Sequence, residues 1–293
     1  MSDKKGILLI NLGTPDSPST SDVRKYLSEF LNDPRVIDLP WMVRKILVNC
    51  IIVPFRAKGS AKLYQHLWTD NGAPLLYNTR LLTEAVSTKL GPEYSVRMAM
   101  RYGQPSMKSI VQQFIDENIA ELTVLPLYPQ YATSTTGSTF EELERIIALE
   151  NISTPVTLLG QFYDHPKFIM AFSEVAKQYS PDSFDHIIFS FHGIPIRQVK
   201  GVKNEIFVLK NGELASGQLP YPEACERTAR SIANHLGLSE ASYSISFQSR
   251  LSSNWLAPFT DEVIVDRAKS GDERLLVFSP SFVADCLETT VEI

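Results

Sequence analysis

Cysteine is scarce in this chain: Cys50, Cys225 and Cys286 are the only three in 293 residues. They stand far apart and form no CxxC pair, which excludes a disulfide framework and a cysteine zinc site. A basic excess is also missing. Lys and Arg number 28 against 33 Asp and Glu, for a formal net charge of -5, so no concentrated positive surface for phosphates is expected and nucleic acid is excluded as a partner. Neither GxGxxG nor P-loop spacing is present. Long apolar runs are lacking as well. The strongest, from Trp41 to Phe55, is broken by Arg44 and Lys45 and ended by Pro54, and it is shorter than the roughly 20 residues a membrane span needs. Two roles stay open for it, a greasy lip over an apolar ligand or against a membrane surface, and a buried core helix. Met1 to Ile10 runs straight into a strand-like segment with no cleavage site of small residues, so no secretion signal is read and a reducing cytoplasm is the expected compartment.

A hydrophobic content of 44% over this length is enough for one large domain or two ordinary ones. Apolar runs of strand length at 6–12, 94–100, 121–127, 156–160, 186–192, 243–248 and 273–279 alternate with helical periodicity, which predicts α/β layers with parallel sheets. The first helix is clearest: Ser19, Thr20 and Ser21 offer N-caps, and Val23, Tyr26, Leu27, Phe30 and Leu31 share a face before Asp33-Pro34. A polar break near 150–155 suggests two similar halves, 1–150 and 151–293. The polar stretch from Gln198 to Pro220 reads as an insertion, followed by a helix from about Tyr221.

Functional residues in such folds gather at the C-terminal ends of strands. The apolar strand 187–191 ends in His192-Gly193, which hands an imidazole to a cleft. After Ser279-Pro280-Ser281-Phe282, the residues Asp285, Glu288 and Glu292 recur at three- and four-residue spacing, predicting a carboxylate stripe on one helix face or a plain solvated face. Asn11-Leu12-Gly13-Thr14-Pro15 after the first strand is a tight turn or an anion-approach loop. Arg101-Tyr102-Gly103 ends another strand, either as a carboxylate fork beside a phenol or with a surface arginine. The hydroxyl-rich turn 133–138 caps a helix or binds a carboxylate. His66, His165, His186 and His235 lack acidic companions and receive no role.

In the order LLINLGTP, LPLYPQYATSTTG, SFHGIP, SFQSR with WLAPFTDE, and FVADCLET, these motifs make the chain resemble the bacterial ferrochelatases along nearly its whole length. The resemblance implies two Rossmann-like lobes with a porphyrin cleft between them, 1–150 carrying the apolar lip and 151–293 the histidine and acidic helix. It implies a lyase of haem biosynthesis that inserts Fe2+ into protoporphyrin IX or coproporphyrin III and releases two protons. His192 is then the proton acceptor or a metal contact, Glu288 a carboxylate on the opposite porphyrin face, and Glu292 the next metal ligand along a delivery line. Leu12, Tyr64, Arg101, Tyr102, Trp255 and Phe282 match positions near the porphyrin, and Ser134 and Thr135 belong to a lining loop. Ala73 stands where many members have serine, and Cys286 where some have histidine.

Fe2+ is a substrate on this reading, no further cofactor is required, and three separated cysteines do not suit a four-ligand iron-sulfur cluster. Members usually continue past the Glu288 helix, so an exposed apolar patch on the first lobe is expected of a chain ending at Ile293. Porphyrin and Fe2+ are the expected partners, peripheral contact is the one membrane association open to the chain, and oligomeric state is not predicted. Two alternatives remain at this point: a chelatase for another tetrapyrrole or metal, and a porphyrin- or haem-binding protein that transfers its ligand without metallating it.

Overall fold

The computed structural model describes residues 4–201 and 219–291. It holds two parallel sheets. In the first, β1 (Lys5–Thr14) lies between β2 (Tyr94–Gly103) and β3 (Glu121–Pro126), and β4 (Val156–Leu158) adds to β3. In the second, β5 (His186–His192) is central between β6 (Tyr243–Gln248) and β7 (Leu275–Phe278). Both central strands are covered on two faces. Leu8, Leu9 and Ile10 of β1, and Ile187 to Phe191 of β5, are buried without alternation, as expected for parallel strands sandwiched by helices.

Helices α1 (Thr20–Leu31), α2 (Trp41–Ile46), α3 (Val53–Leu67), α4 (Pro74–Leu90), α5 (Met107–Asp116) and α6 (Ser138–Leu149) clothe the first sheet. Ser19 caps α1 by accepting from the Asp22 N–H, and Ser106 caps α5 in the same way from Ser109. Val111 and Phe114 of α5 meet Phe140 and Leu143 of α6 in the core against β1 and β3. Then α7 (Pro166–Lys177) leads to the second sheet, followed by α8 (Ile196–Gly201), α9 (Tyr221–Leu236), α10 (Thr260–Lys269) and the one-turn α11 (Leu287–Thr290). Gly237 ends α9 in the left-handed conformation, φ 73°.

Several expectations need correction. β4 pairs with β3, so the division between the sheets falls after Leu158 and not at residue 150. The polar stretch 150–155 is the return from α6 to the edge of the same sheet. Asp285 lies outside α11 and is exposed, so it shares no helix face with Glu288. The helix starts only at Leu287 because a capping box closes on Cys286, whose N–H donates to Thr289 Oγ1 at 3.0 Å. Glu292 lies outside the described residues, as does 202–218 of the predicted insertion.

The segment 41–55 is not a buried core helix. Trp41, Met42, Val43, Ile46, Ile51 and Phe55 are exposed, Phe55 at 82%, along α2, a π-helical stretch at Leu47–Ile52 and the start of α3. Leu63 of α3 and Leu81 and Leu82 of α4 are further exposed apolar side chains of the first lobe. Among the described residues no helix is long and apolar enough to cross a membrane.

Candidate active site

A cavity of about 800 Å³ opens between the C-terminal ends of β1 and β5. From the first lobe, Asn11 to Thr14 reach it where β1 ends. Gly13 is required there: with φ at 121°, a Cβ would lie 1.8 Å from the Tyr102 carbonyl oxygen on β2. Asn11 is buried and held on both sides, its Nδ2 donating to Thr79 Oγ1 at 3.0 Å and its Oδ1 accepting from the Leu12 N–H at 2.9 Å. α1 contributes Tyr26 and Phe30, α3 contributes Arg56 and Tyr64, and the π-helical turn at Thr133–Gly137 presents Ser134 and Thr135.

From the second lobe, His192 enters as the last residue of β5. On the β6 side it pairs with Gln248. On the β7 side the strand partner has already ended at Phe278, and side chains take over. The Tyr221 hydroxyl donates to the His192 carbonyl at 2.8 Å, and Ser281 Oγ accepts from the His192 N–H at 3.4 Å. Burial raises the Tyr221 pKa well above the usual tyrosine value, keeping that hydroxyl a neutral donor. The Trp255 and Phe282 rings flank the imidazole, with centroids 6.4 and 6.3 Å away. Gly193 allows this packing, because a Cβ would meet the Gln248 carbonyl oxygen at 2.8 Å and Trp255 at 3.4 Å.

Glu288 lines the same cavity from α11, half-buried. Its neighbours Leu287 and Val291 pack with Tyr26, Ala61 and Tyr64 in a first-lobe core cluster. The Cys286 thiol is pushed far above its usual range, first by burial and then by the Glu288 carboxylate. Burial likewise raises Tyr26 well above the ordinary tyrosine pKa, with Tyr64 and Glu288 adding to the shift. Among the described residues no group of three or more His, Cys, Asp or Glu side chains forms a metal cage.

The residues singled out from the sequence thus divide. Leu12, Tyr64, Ser134, Thr135, His192, Trp255, Phe282 and Glu288 all line the cavity. Arg101 and Tyr102 do not. The Arg101 guanidinium donates to Asp33 Oδ2 at 2.6 Å and to Ser138 Oγ at 2.8 Å, and the Tyr102 hydroxyl donates to the same Asp33 oxygen at 2.7 Å. Asp33 is buried, so this cluster neutralises a carboxylate beneath α1 and supports the cavity wall from behind.

The cavity residues that sequence reasoning missed include two arginines. Arg56 faces the cavity with no ion-pair partner among the described residues. Its position eight residues before Tyr64 puts both on one side of α3, a signal the sequence did contain. Arg197 of α8 reaches across the cavity to Asp38 of the first lobe, its Nε donating to Oδ2 at 2.7 Å. The guanidinium holds the Asp38 carboxyl below its usual range.

A family model described as ferrochelatase matches residues 4–293. A curated relative named ferrochelatase from Coxiella burnetii (strain CbuK_Q154) is 41% identical over 301 residues, covering 99% of this chain and 83% of the relative. Another, from Legionella pneumophila (strain Paris), is 40% identical over 293 residues, covering 99% of this chain and 88% of the relative. Among solved structures, SirB from Bacillus subtilis with Fe3+ covers 96% of this chain and 90% of its own at 10% identity and a TM-score of 0.41, a likeness too distant to build on.

Proposed function

The chain belongs to the ferrochelatase family and is a lyase that inserts Fe2+ into a porphyrin in haem biosynthesis; we propose that it does so in the cavity between the lobes, with His192 and Glu288 as the reacting side chains. The observation that carries this reading is their convergence: the imidazole that ends β5 and the carboxylate of α11 line one apolar cavity large enough for a flat ligand.

Metallation replaces two inner N–H protons of the free-base ring with Fe2+, so each turnover releases two protons and requires a proton acceptor and a metal donor. An imidazole with an unperturbed pKa of about 6.5 accepts a proton near neutral pH. His192 is the acceptor on this reading, its ring set between Trp255 and Phe282 and its main chain fixed by Tyr221 and Ser281. Glu288 receives the metal. A carboxylate binds Fe2+ weakly enough to release it to four ring nitrogens, whereas a thiolate would hold it more tightly. Glu292 follows Glu288 in the sequence as the next carboxylate of a delivery path.

The porphyrin rests against Leu12, Tyr64, Trp255 and Phe282, with Ser134 and Thr135 at an edge. Arg56 supplies the unpaired cation for a ring carboxylate, protoporphyrin and coproporphyrin both carrying such groups at their periphery. Arg101 and Tyr102 act one layer back, through the Asp33 and Ser138 cluster. The exposed ridge 41–55 borders the cavity, since Ile52 lines it, and supports peripheral contact of a cytoplasmic enzyme with a membrane surface.

The test is anaerobic metallation of protoporphyrin and of coproporphyrin with Fe2+, followed as loss of free-base fluorescence and growth of haem absorption. Turnover above the protein-free rate with either ring is expected. Porphyrin binding without turnover would reject the proposed roles of His192 and Glu288.

A further inference from the structure

Gln248 lies directly across the β5–β6 ladder from His192, and its side chain reaches in the other direction to the turn that carries Glu288. Its main-chain carbonyl accepts from the Gly193 N–H at 2.9 Å, which ties it to the histidine turn. Its amide Nε2 donates to the Glu288 carbonyl at 2.7 Å, and its Oε1 accepts from Ser190 Oγ at 2.5 Å. The side-chain orientation is fixed by chemistry. The Glu288 carbonyl can only accept, so the amide nitrogen must face it and the amide oxygen must face Ser190.

The polar chain extends further. Ser190 spends its hydroxyl proton on Gln248, so at 2.8 Å it must accept from Thr260 Oγ1, and Thr260 in turn accepts from Ser246 at 2.9 Å. Ser246, Thr260, Ser190 and Gln248 are all buried, at 0, 5, 0 and 5% exposure. One directed line of donors therefore runs from inside the second lobe to the Glu288 main chain. The remaining hydrogen bonds of α11 among the described residues are local, within 285–291.

We propose that Gln248 is a positioning residue that sets the distance of the Glu288 carboxylate from the His192 imidazole, and so the placement of Fe2+ over the ring. This rests on the roles assigned to those two residues above. Without it, a single helical turn would be located by the apolar contacts of Leu287 and Val291 alone, which fix burial but not depth along the cavity. Apolar packing is non-directional, whereas a hydrogen bond specifies one separation and one angle.

The test compares Gln248→Met, which keeps the side-chain length without donor or acceptor, and Gln248→Asn, which still presents an amide but is one methylene short of Glu288. Glu288→Gln is run beside them. Both Gln248 variants should bind porphyrin with a Kd within about twofold of wild type while kcat/KM for Fe2+ falls about tenfold or more, the range expected for a misplaced reacting group. A parallel loss of porphyrin affinity and melting temperature, with no separate loss in the metal step, would reduce Gln248 to a structural residue and overturn the proposal. So would turnover within about threefold of wild type in both Gln248 variants while Glu288→Gln is inactive. If Glu288→Gln itself turns over normally, the underlying site assignment fails instead, and the positioning role falls with it.

Discussion

The Tyr221 hydroxyl stands 2.8 Å from the main-chain carbonyl of His192 and replaces the ladder bond that β7, ending at Phe278, no longer supplies. Tyr221 is buried, and its hydroxyl is the donor to this carbonyl. Tyr221→Phe removes the donor and keeps the ring. A stability loss of about 1–3 kcal/mol is expected from the unsatisfied acceptor, read from the midpoint of a urea titration. Turnover should fall while porphyrin affinity holds, because the ring wall is intact. An unchanged midpoint would mean that the carbonyl finds another partner.

His192→Ala should leave porphyrin fluorescence quenching intact and lower Fe2+ insertion by about 10²–10⁴-fold, the usual worth of a positioned proton acceptor. Added imidazole entering the vacated space should restore part of the rate. Insertion at the wild-type rate in the variant would argue against the proton-acceptor role.

Arg56→Ala removes an exposed guanidinium that no side chain among the described residues pairs with. The effect should fall on KM for a porphyrin bearing free carboxylates, by about five- to tenfold, with kcat nearly unchanged, as for an interaction made equally in the ground and transition states. The methyl-ester porphyrin should show no such difference. Equal effects on acid and ester would remove Arg56 from substrate recognition.

The ridge of Trp41, Met42 and Phe55 should partition into phospholipid vesicles. Replacing Phe55 with Ser should weaken co-sedimentation by roughly 1.5–3 kcal/mol if that side chain is fully buried in lipid. Metallation of a detergent-solubilised porphyrin should be unaffected. Wild-type protein that stays wholly in the supernatant would show that the ridge does not contact lipid.

Much of the scaffold is legible before any coordinates are known. All seven strands sit where apolar runs of strand length predict them, the central β1 and β5 most plainly because parallel strands covered on both faces need no alternation, and α1 begins at its Ser19 cap. His192 was visible for the same reason: it ends such a run. What escaped was whatever depends on partners distant in sequence. Arg101 and Tyr102 have the right chemistry for a ring carboxylate, but Asp33, 68 residues before Arg101, claims them. Asp285 and Glu288 have helical spacing, yet the Cys286 cap starts the helix between them. The polar segment before Pro155 resembles a linker, although β4 beyond it completes the first sheet. Gln248 stood inside the SFQSR motif, but nothing there pointed to its role, which lies in a contact 40 residues away.

By sequence Glu288 belongs to the second half of the chain, but by packing its turn belongs to the first lobe, through Leu287 and Val291 against Tyr26 and Tyr64. His192 is rooted in the second sheet. The Glu288 turn is therefore a rivet through both lobes, apolar contacts fastening it to the first and the Gln248 amide to the second, and the gap between imidazole and carboxylate can widen only where one of those two fastenings gives way.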